Sequence, residues 1–307
     1  MTRSTLGLLL GIAATWLSPG LSHAQYSVPS QAADSGRVGT ARSKIKEKLV
    51  TEDDGWEVGA SLNFLTAETS LGGEDLRFTD VVLLRIHGLW AVGGSVEIFA
   101  GSDILPKQPS YTDELEWQGA LAGARFALGD SFAAWVRAQG GPHLGRNGWW
   151  VGGAGAVQYK LALEDVLFFE SSLGLTHTQL FYDQDSDRQY WLNQIFTQFG
   201  IAIRDPKKGQ FGAWLAFDYY YPLVGEPDPS DVDTGEPTAL DPQPRVNFHL
   251  GGLIGLSETV DLFIEWSILD RGDLEDAQTL LPILNGGFDQ KQILFGFMRR
   301  FGARERP

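Results

Sequence analysis

The stretch that decides the fold is Phe211–Tyr221, which has the sequence FGAWLAFDYYY. Apolar side chains occupy alternate positions from Phe211 through Leu215 to Tyr219. The positions between them are small or charged, as at Asp218, except for Trp214, an aromatic residue on the second phase. Successive side chains of a β-strand point to opposite faces. This period of two therefore predicts a strand with one uniformly apolar face and one small or charged face.

The same alternation recurs along the chain from Trp56 to Phe301, and in the clear segments nearly every charge falls on the non-apolar phase. Less regular segments at 115–127, 149–163 and 190–204 bring the prediction to about 12 strands of about 11–15 residues. Strands of soluble domains usually have about five or six residues. The length of these segments therefore points away from a secreted β-sandwich or propeller.

Short and long connections alternate between the predicted strands, which indicates an up-and-down antiparallel barrel with both chain ends at the short-turn end. The architecture resembles bacterial outer-membrane β-barrels over about residues 56–301. The resemblance implies an all-β transmembrane barrel with short periplasmic turns and long extracellular loops, located in the cell outer membrane. It also implies contact with outer-membrane lipid, lipopolysaccharide and the barrel-insertion machinery. The predicted long loops cover residues 66–75, 102–113, 140–148, 181–189, 221–244 and 270–288.

Aromatic residues fall near the ends of the predicted strands, where the barrel would meet the two membrane interfaces. Aromatic rings favour these interfaces, so the residues are candidates for two interfacial belts. The lower belt would lie at the short turns and the upper belt at the long loops. The candidates are Trp56, Trp90 and Phe301 for the lower belt and Trp117, Trp149, Trp191 and Tyr219 for the upper belt.

The N-terminus has the pattern of a secretory signal peptide at residues 1–24. Arg3 precedes the apolar run 6–17, and Ser22-His23-Ala24 has the small-x-small pattern of a cleavage site. The remaining predicted regions are a flexible periplasmic segment at 25–55, the barrel at 56–301 and a short tail at 302–307.

The segment 25–55 shows no strand alternation and is basic near its end. Ile45 and Leu49 are four residues apart, which predicts one or two helical turns between residues 43 and 50. The segment could be a solvated linker, a plug in the barrel mouth or a docking site for a periplasmic partner. Its clustered basic residues are Arg42, Lys44, Lys46 and Lys48.

Composition excludes several classes of protein. The 307 residues carry a net charge of −15, which disfavours nucleic acid as a partner. The chain has no cysteine, so disulfides and thiolate metal sites are excluded. A mean hydropathy of −0.12 excludes a polytopic helical membrane protein, because such proteins need repeated apolar runs of about 20 residues.

Charges of both signs lie on the non-apolar phase and are predicted to line the barrel lumen. This pattern favours a narrow, charge-lined channel for small polar solutes. The alternative is a non-conducting barrel that anchors an envelope-spanning secretion, export or motility complex through residues 25–55 or through the acidic extracellular loops. A short hairpin turn also predicts that His87 approaches Glu97. The predicted lumen-lining residues are Arg85, His87, Glu97, Arg137, Lys160, Glu170, Asp218, His249, Glu265 and Arg300.

Enzymatic activity is the weakest of the functional hypotheses, and no catalytic residue is assigned. An outer-membrane lipid hydrolase would need a nucleophile beside a histidine, and the His-x-Ser pattern is absent. No cofactor is predicted apart from a weak calcium site at the extracellular loops. Asp183, Asp185 and Asp187 have the spacing of a calcium loop, but Arg188 and Gln194 break the pattern.

Overall fold

Twelve antiparallel strands form a closed barrel in the computed structural model of the protein. The structure describes residues 41–50, 55–71, 74–107, 115–143, 148–181, 189–205, 210–226, 244–269 and 289–302. No helix within these ranges is long and apolar enough to cross a membrane. The strands are β1 (Gly55–Leu71), β2 (Glu74–Val92), β3 (Val96–Leu105), β4 (Glu116–Ala127), β5 (Phe132–His143), β6 (Gly148–Leu163), β7 (Leu167–Phe181), β8 (Gln189–Arg204), β9 (Phe211–Glu226), β10 (Arg245–Gly255), β11 (Val260–Leu269) and β12 (Asp289–Phe301).

Each strand pairs with its neighbour in sequence, and β12 closes the sheet by pairing with β1. The closing ladder runs from the pair Trp56 and Phe301 to the pair Glu68 and Asp289. Closure leaves no strand edge unpaired, which a sheet in hydrocarbon requires because no water is present to bond the backbone. The predicted up-and-down barrel and its strand number are confirmed.

Alternate side chains face the outside and the inside of this barrel. On β9, 49% of Phe211 and 46% of Phe217 is exposed, whereas only 1% of Asp218 is. Around the wall the exposed side chains are mostly large and apolar, whereas the buried ones include the polar side chains together with aromatic residues such as Trp135. An apolar outer surface of this extent is stable only in lipid. The protein is an outer-membrane β-barrel.

Tight turns close the hairpins at one end of the barrel. Gly93 and Gly94 both have positive φ, and so do Glu164 and Asp165. Two successive positive φ values are typical of type I′ turns, whose twist matches that of the paired strands. We call this end the short-turn mouth and the opposite end the long-loop mouth.

The first hairpin differs from the prediction at the long-loop mouth. The predicted loop at 66–75 is mostly strand, since β1 continues to Leu71 and β2 begins at Glu74. The register shifts between Leu65 and Ala67, which indicates a bulge. Backbone hydrogen bonds maintain the ladder there although the sequence is polar, because strand pairing depends on the backbone rather than on side-chain polarity.

Several predictions concern residues outside the described ranges. They are the signal peptide at 1–24, the first part of the segment 25–55, most of the tail at 302–307 and the calcium hypothesis at Asp183, Asp185 and Asp187.

Candidate functional site

The residues predicted to line the lumen all lie on the phase of their strands that faces the barrel interior. Five are buried and the other five are partly buried. The buried residues are Glu97, Arg137, Lys160, Asp218 and His249; the partly buried residues are Arg85, His87, Glu170, Glu265 and Arg300.

Opposite charges pair between strands in this interior. Arg85 donates two hydrogen bonds to Asp103, at 2.6 and 2.7 Å. The Arg125 Nη1 atom lies 3.4 Å from a carboxylate oxygen of Glu97. Isolated charges are costly away from bulk water, so pairing stabilises the charged interior.

The predicted approach of His87 to Glu97 is wrong. The turn after β2 pairs Glu97 with Ala91, and His87 lies opposite Gly101 on β3. The turn has the predicted short length, residues 93–95, but it pairs Val92 with Val96, and counting back from that pair places the partner of Glu97 four residues from His87. A Cβ atom at Gly59 would lie 2.5 Å from the His87 Nε2 atom, so the missing side chain leaves room for the imidazole.

His249 connects three neighbouring strands through hydrogen bonds. Its Nδ1 atom lies 2.8 Å from the Ser267 hydroxyl, and its Nε2 atom lies 3.1 Å from an Asp218 carboxylate oxygen. Serine hydrolases use the same types of residue. Here the Ser267 residue is only 2% exposed in the barrel wall, so the hydroxyl is shielded from substrate. The arrangement links β9, β10 and β11.

An aromatic cluster crosses the interior. The ring centroids of Trp135 and Phe196 are 5.8 Å apart, and those of Phe196 and Tyr220 are 5.6 Å apart. The guanidinium groups of Arg137 and Arg245 lie 5.9 Å and 4.4 Å from the nearest of these rings. The three rings are fully buried and narrow the interior.

Residues Ala41–Val50 enter the barrel at the short-turn mouth, and we call them the inserted segment. The sequence leaves three roles open for this region: a linker, a plug and a docking site. Ile45 is only 2% exposed, so these residues are not a solvated linker. Ile45 packs in an apolar cluster with Trp214 and Phe263. The backbone carbonyl of Ser43 accepts a 2.9 Å hydrogen bond from Lys160.

The predicted helical turns between residues 43 and 50 are also wrong in extent. A 3₁₀ helix covers only Arg42–Ile45, and Lys46 has extended backbone angles. The extended conformation lets Leu49 reach the buried Ala133 on β5. Tertiary contacts have overridden the i, i+4 pattern on which the helix prediction rested.

Ion pairs hold the inserted segment to the barrel. All of its basic side chains lie within 4.0 Å of a barrel carboxylate. Most of these contacts are shielded from bulk water, which strengthens them relative to surface pairs. The pairs are Arg42 with Asp261 at 3.3 Å, Lys44 with Glu265, Lys46 with Glu57 at 3.0 Å and Lys48 with Asp130 at 3.5 Å.

Lys44 has an aromatic partner as well as an ionic one. Its Nζ atom lies 4.5 Å from the centroid of the Trp214 ring and contacts the Glu265 carboxylate. The Trp214 Nε1 atom donates a 2.6 Å hydrogen bond to the same carboxylate, which fixes the ring and the acid relative to each other. We call Trp214 and Glu265 the ammonium site.

Gly251 supports the ammonium site, because a Cβ atom there would lie 2.4 Å from the Trp214 ring. We expect Gly251→Ala to displace the ring and lower the free energy of unfolding by about 1–3 kcal/mol, the usual cost of overpacking. Unfolding in detergent, followed by circular dichroism, measures this change. Gly200→Ala is the matched control, since its nearest contact is 3.6 Å away. Equal destabilisation by the two variants would contradict this role of Gly251.

A cavity of about 40 Å³ adjoins the ammonium site. Its volume has room for about three water molecules. The Oε1 atom of Gln158 and the Nε2 atom of Gln198 are buried, and neither has a hydrogen-bond partner in the described part of the chain. Buried polar atoms without a protein partner are normally satisfied by water or a ligand. The lining residues include Lys44, Gln158, Glu170, Ser172, Gln198 and Trp214.

The predicted interfacial aromatic residues all lie on the outward phase of their strands. At the short-turn mouth, Trp56 and Trp90 stack with ring centroids 5.2 Å apart. At the other end, the rings of Trp117 and Trp149 are 5.9 Å apart. The remaining aromatics of this set, also outward, are Trp191, Tyr219 and Phe301.

His177 has a polar partner on the outer surface. Its Nδ1 atom lies 2.8 Å from the Asn193 side-chain oxygen. Its two cross-strand partners are Gly153 and Asn193, and neither carries a nucleophilic hydroxyl.

No protein-family model matches this sequence, and no curated protein matches it. Among solved structures, an outer membrane channel from Pseudomonas putida F1 is 11% identical, with a TM-score of 0.49 over 86% of this chain and 100% of that chain. The translocator domain of the autotransporter NalP from Neisseria meningitidis is 12% identical, with a TM-score of 0.47 over 80% of this chain and 88% of that chain. The NanC porin is 9% identical, with a TM-score of 0.45 over 78% and 98%. These identities do not assign the chain to a family.

Proposed function

We propose that the protein is a narrow outer-membrane channel for small polar solutes, closed at its short-turn mouth by the inserted segment. The observation that carries the proposal is the way this segment is held. Side-chain ion pairs such as Lys46 with Glu57 bind it to the wall, and it forms no ladder with the barrel strands. Contacts of this kind can break without disturbing the barrel.

The polar interior supports the same proposal. Both side-chain polar atoms of Asn247 are buried and lack a protein partner within the described ranges, as do the Gln158 and Gln198 atoms at the cavity. Such groups require water, because an unsatisfied buried polar atom costs about 1–3 kcal/mol. A channel that is closed by the inserted segment can conduct after the segment leaves only if the interior behind the segment holds water.

The anchor hypothesis receives less support from the contacts. A periplasmic partner was expected to dock through residues 25–55, but the basic groups of the inserted segment are paired with barrel carboxylates. Docking would therefore use other residues or require the segment to leave. For the hydrolase hypothesis, the serine hydroxyl that contacts His249, that of Ser267, is buried.

Ion current through planar bilayers tests the proposal. We expect brief, rare openings from the full chain and a sustained current from a variant that lacks residues 41–50, because the deletion removes the closure. Far-ultraviolet circular dichroism and a heat-dependent shift in electrophoretic mobility establish that both proteins are folded. A folded deletion variant without ion current would show that the barrel is not a channel.

A further inference from the structure

The ammonium site combines two groups that recognise cations by different means. The face of an aromatic ring attracts a cation through its quadrupole, and a desolvated contact of this kind is stronger than an exposed one. The Glu265 carboxylate adds a charge-assisted hydrogen bond. We propose that this site binds small primary amines as solutes of the channel, and that such an amine replaces the Lys44 ammonium group. The inference rests on the proposed channel function.

The present occupant of the site indicates the chemistry of the ligand. Lys44 places the end of a butylammonium chain between the Trp214 ring and the Glu265 carboxylate. A free alkylamine offers the same charge and the same donors. A neutral alcohol of equal length lacks the charge that both partners recognise, so the site should distinguish the two compounds.

The cavity gives an amine a route to this site and further groups to bind. Lys44 lines the cavity, and its side chain is 23% exposed, so part of this side chain is accessible to solvent. Among the described residues, neither the Gln198 Nε2 donor nor the Gln158 Oε1 acceptor has a hydrogen-bond partner. These buried amide groups are positioned to bind polar substituents beyond the ammonium group.

A free amine can displace Lys44 because the Lys44 side chain competes with it for the ammonium site as a ligand tethered to the same chain. A tethered group acts at an effective concentration of the order of millimolar, so millimolar free amine competes with it. The segment also keeps other contacts when Lys44 leaves, including the ion pairs of Arg42 and Lys46. Amine binding would therefore loosen the segment at one point before it leaves the barrel.

The test compares Lys44→Ala with the full-length wild type in detergent micelles, using n-butylamine as the probe and 1-butanol as the neutral control. Removing the tethered competitor should strengthen butylamine binding by about tenfold or more in isothermal calorimetry. Butylamine should also raise the melting temperature of Lys44→Ala more than butanol does, because a ligand stabilises the folded state that it binds.

Lys46→Ala is the matched control variant. It removes the same charge from the same segment, but the partner of Lys46 is Glu57 rather than the ammonium site. We expect no gain in butylamine binding from this variant.

Adding Trp214→Leu to Lys44→Ala should remove the gain in butylamine binding that Lys44→Ala produces. If Lys44→Ala does not fold, Lys44→Met keeps most of the side chain, and methylammonium against methanol becomes the matched pair of probes.

Three results would overturn the inference: equal butylamine binding by Lys44→Ala and Lys46→Ala, equal effects of amine and alcohol, or a gain that survives Trp214→Leu.

The outcome of this test is separable from that of the channel proposal because binding in micelles needs no ion current. A conducting deletion variant combined with failed amine binding would reject the amine site alone. Amine binding with a non-conducting deletion variant would reject the channel and leave a closed amine-binding barrel.

Discussion

Reversing two charges of the inserted segment should open the barrel. In Lys44→Glu combined with Lys46→Glu, each new carboxylate would face the carboxylate of its former partner, Glu265 or Glu57. Breaking a shielded ion pair costs about 3–5 kcal/mol, because it leaves a charge uncompensated. Even a cost of about 3 kcal/mol would shift the equilibrium between the inserted and the released state of the segment by about 100-fold. The measurement is the open fraction in single-channel recordings.

A charge exchange provides the control for this opening. Adding Glu265→Lys and Glu57→Lys to the doubly reversed segment restores both attractions with their signs exchanged. The open fraction should fall back towards that of the wild type, although the aromatic contact with Trp214 is lost. If the exchanged protein stays open while remaining folded, the ion pairs do not close the mouth, and apolar contacts such as that of Ile45 must do so.

Leu215→Arg should strongly destabilise the barrel. Leu215 is on the outward phase of β9, between Phe211 and Tyr219, which are exposed aromatic residues near the two rims. Because aromatic rings favour the two membrane interfaces, we expect Leu215 to lie near the middle of the bilayer. An arginine on the lipid face at that depth costs about 2–4 kcal/mol of folding free energy. Reversible unfolding in lipid vesicles, followed by tryptophan fluorescence, measures the cost.

Asp218→Asn, on the same strand, is the control for Leu215→Arg. Its side chain points inward, where it bonds His249. The substitution keeps the shape of the side chain and a hydrogen-bonding oxygen, so it should alter ion selectivity more than stability. Destabilisation of equal size by both substitutions would contradict the assignment of the outward and inward phases of β9.

In the proposed channel, two features would control solute entry. The inserted segment, held by ion pairs, would close the short-turn mouth, and the packed rings of Trp135, Phe196 and Tyr220 would narrow the interior. Ion pairs respond to competing charges, and packed apolar rings do not. A charged solute would therefore act on the first closure and be sorted by size at the second.

Much of the fold follows from the alternation of residues, which is a local property of the chain. Phe211, Leu215 and Phe217 face outward and Asp218 faces inward, because a strand has no other way to separate apolar from polar side chains. The alternation of short and long connections then leaves an antiparallel barrel as the only closed arrangement. Strand number and topology were therefore predictable from the sequence.

The candidate site was predictable only as a set of inward-facing charges. Partners such as Asp103 for Arg85 depend on the register between strands, and the register of the β2–β3 hairpin pairs Glu97 with Ala91 rather than with His87. Trp214 was visible as an inward aromatic residue, but nothing local connected it to Lys44, which is far from it in the sequence. The basic character of residues 42–48 was the one available signal, and it fitted a linker, a plug and a docking site equally well.

By itself, the sequence determined that the protein is a barrel with a lipid-facing side and a charged interior, because the two-residue period acts on each strand separately. The tertiary structure alone decided that residues 41–50 lie inside that barrel and that Lys44 meets Trp214 and Glu265. The physical reason is that the carboxylates which attract the basic segment come from β1, β11 and the turn after β4, and only closure of the sheet brings them around one opening.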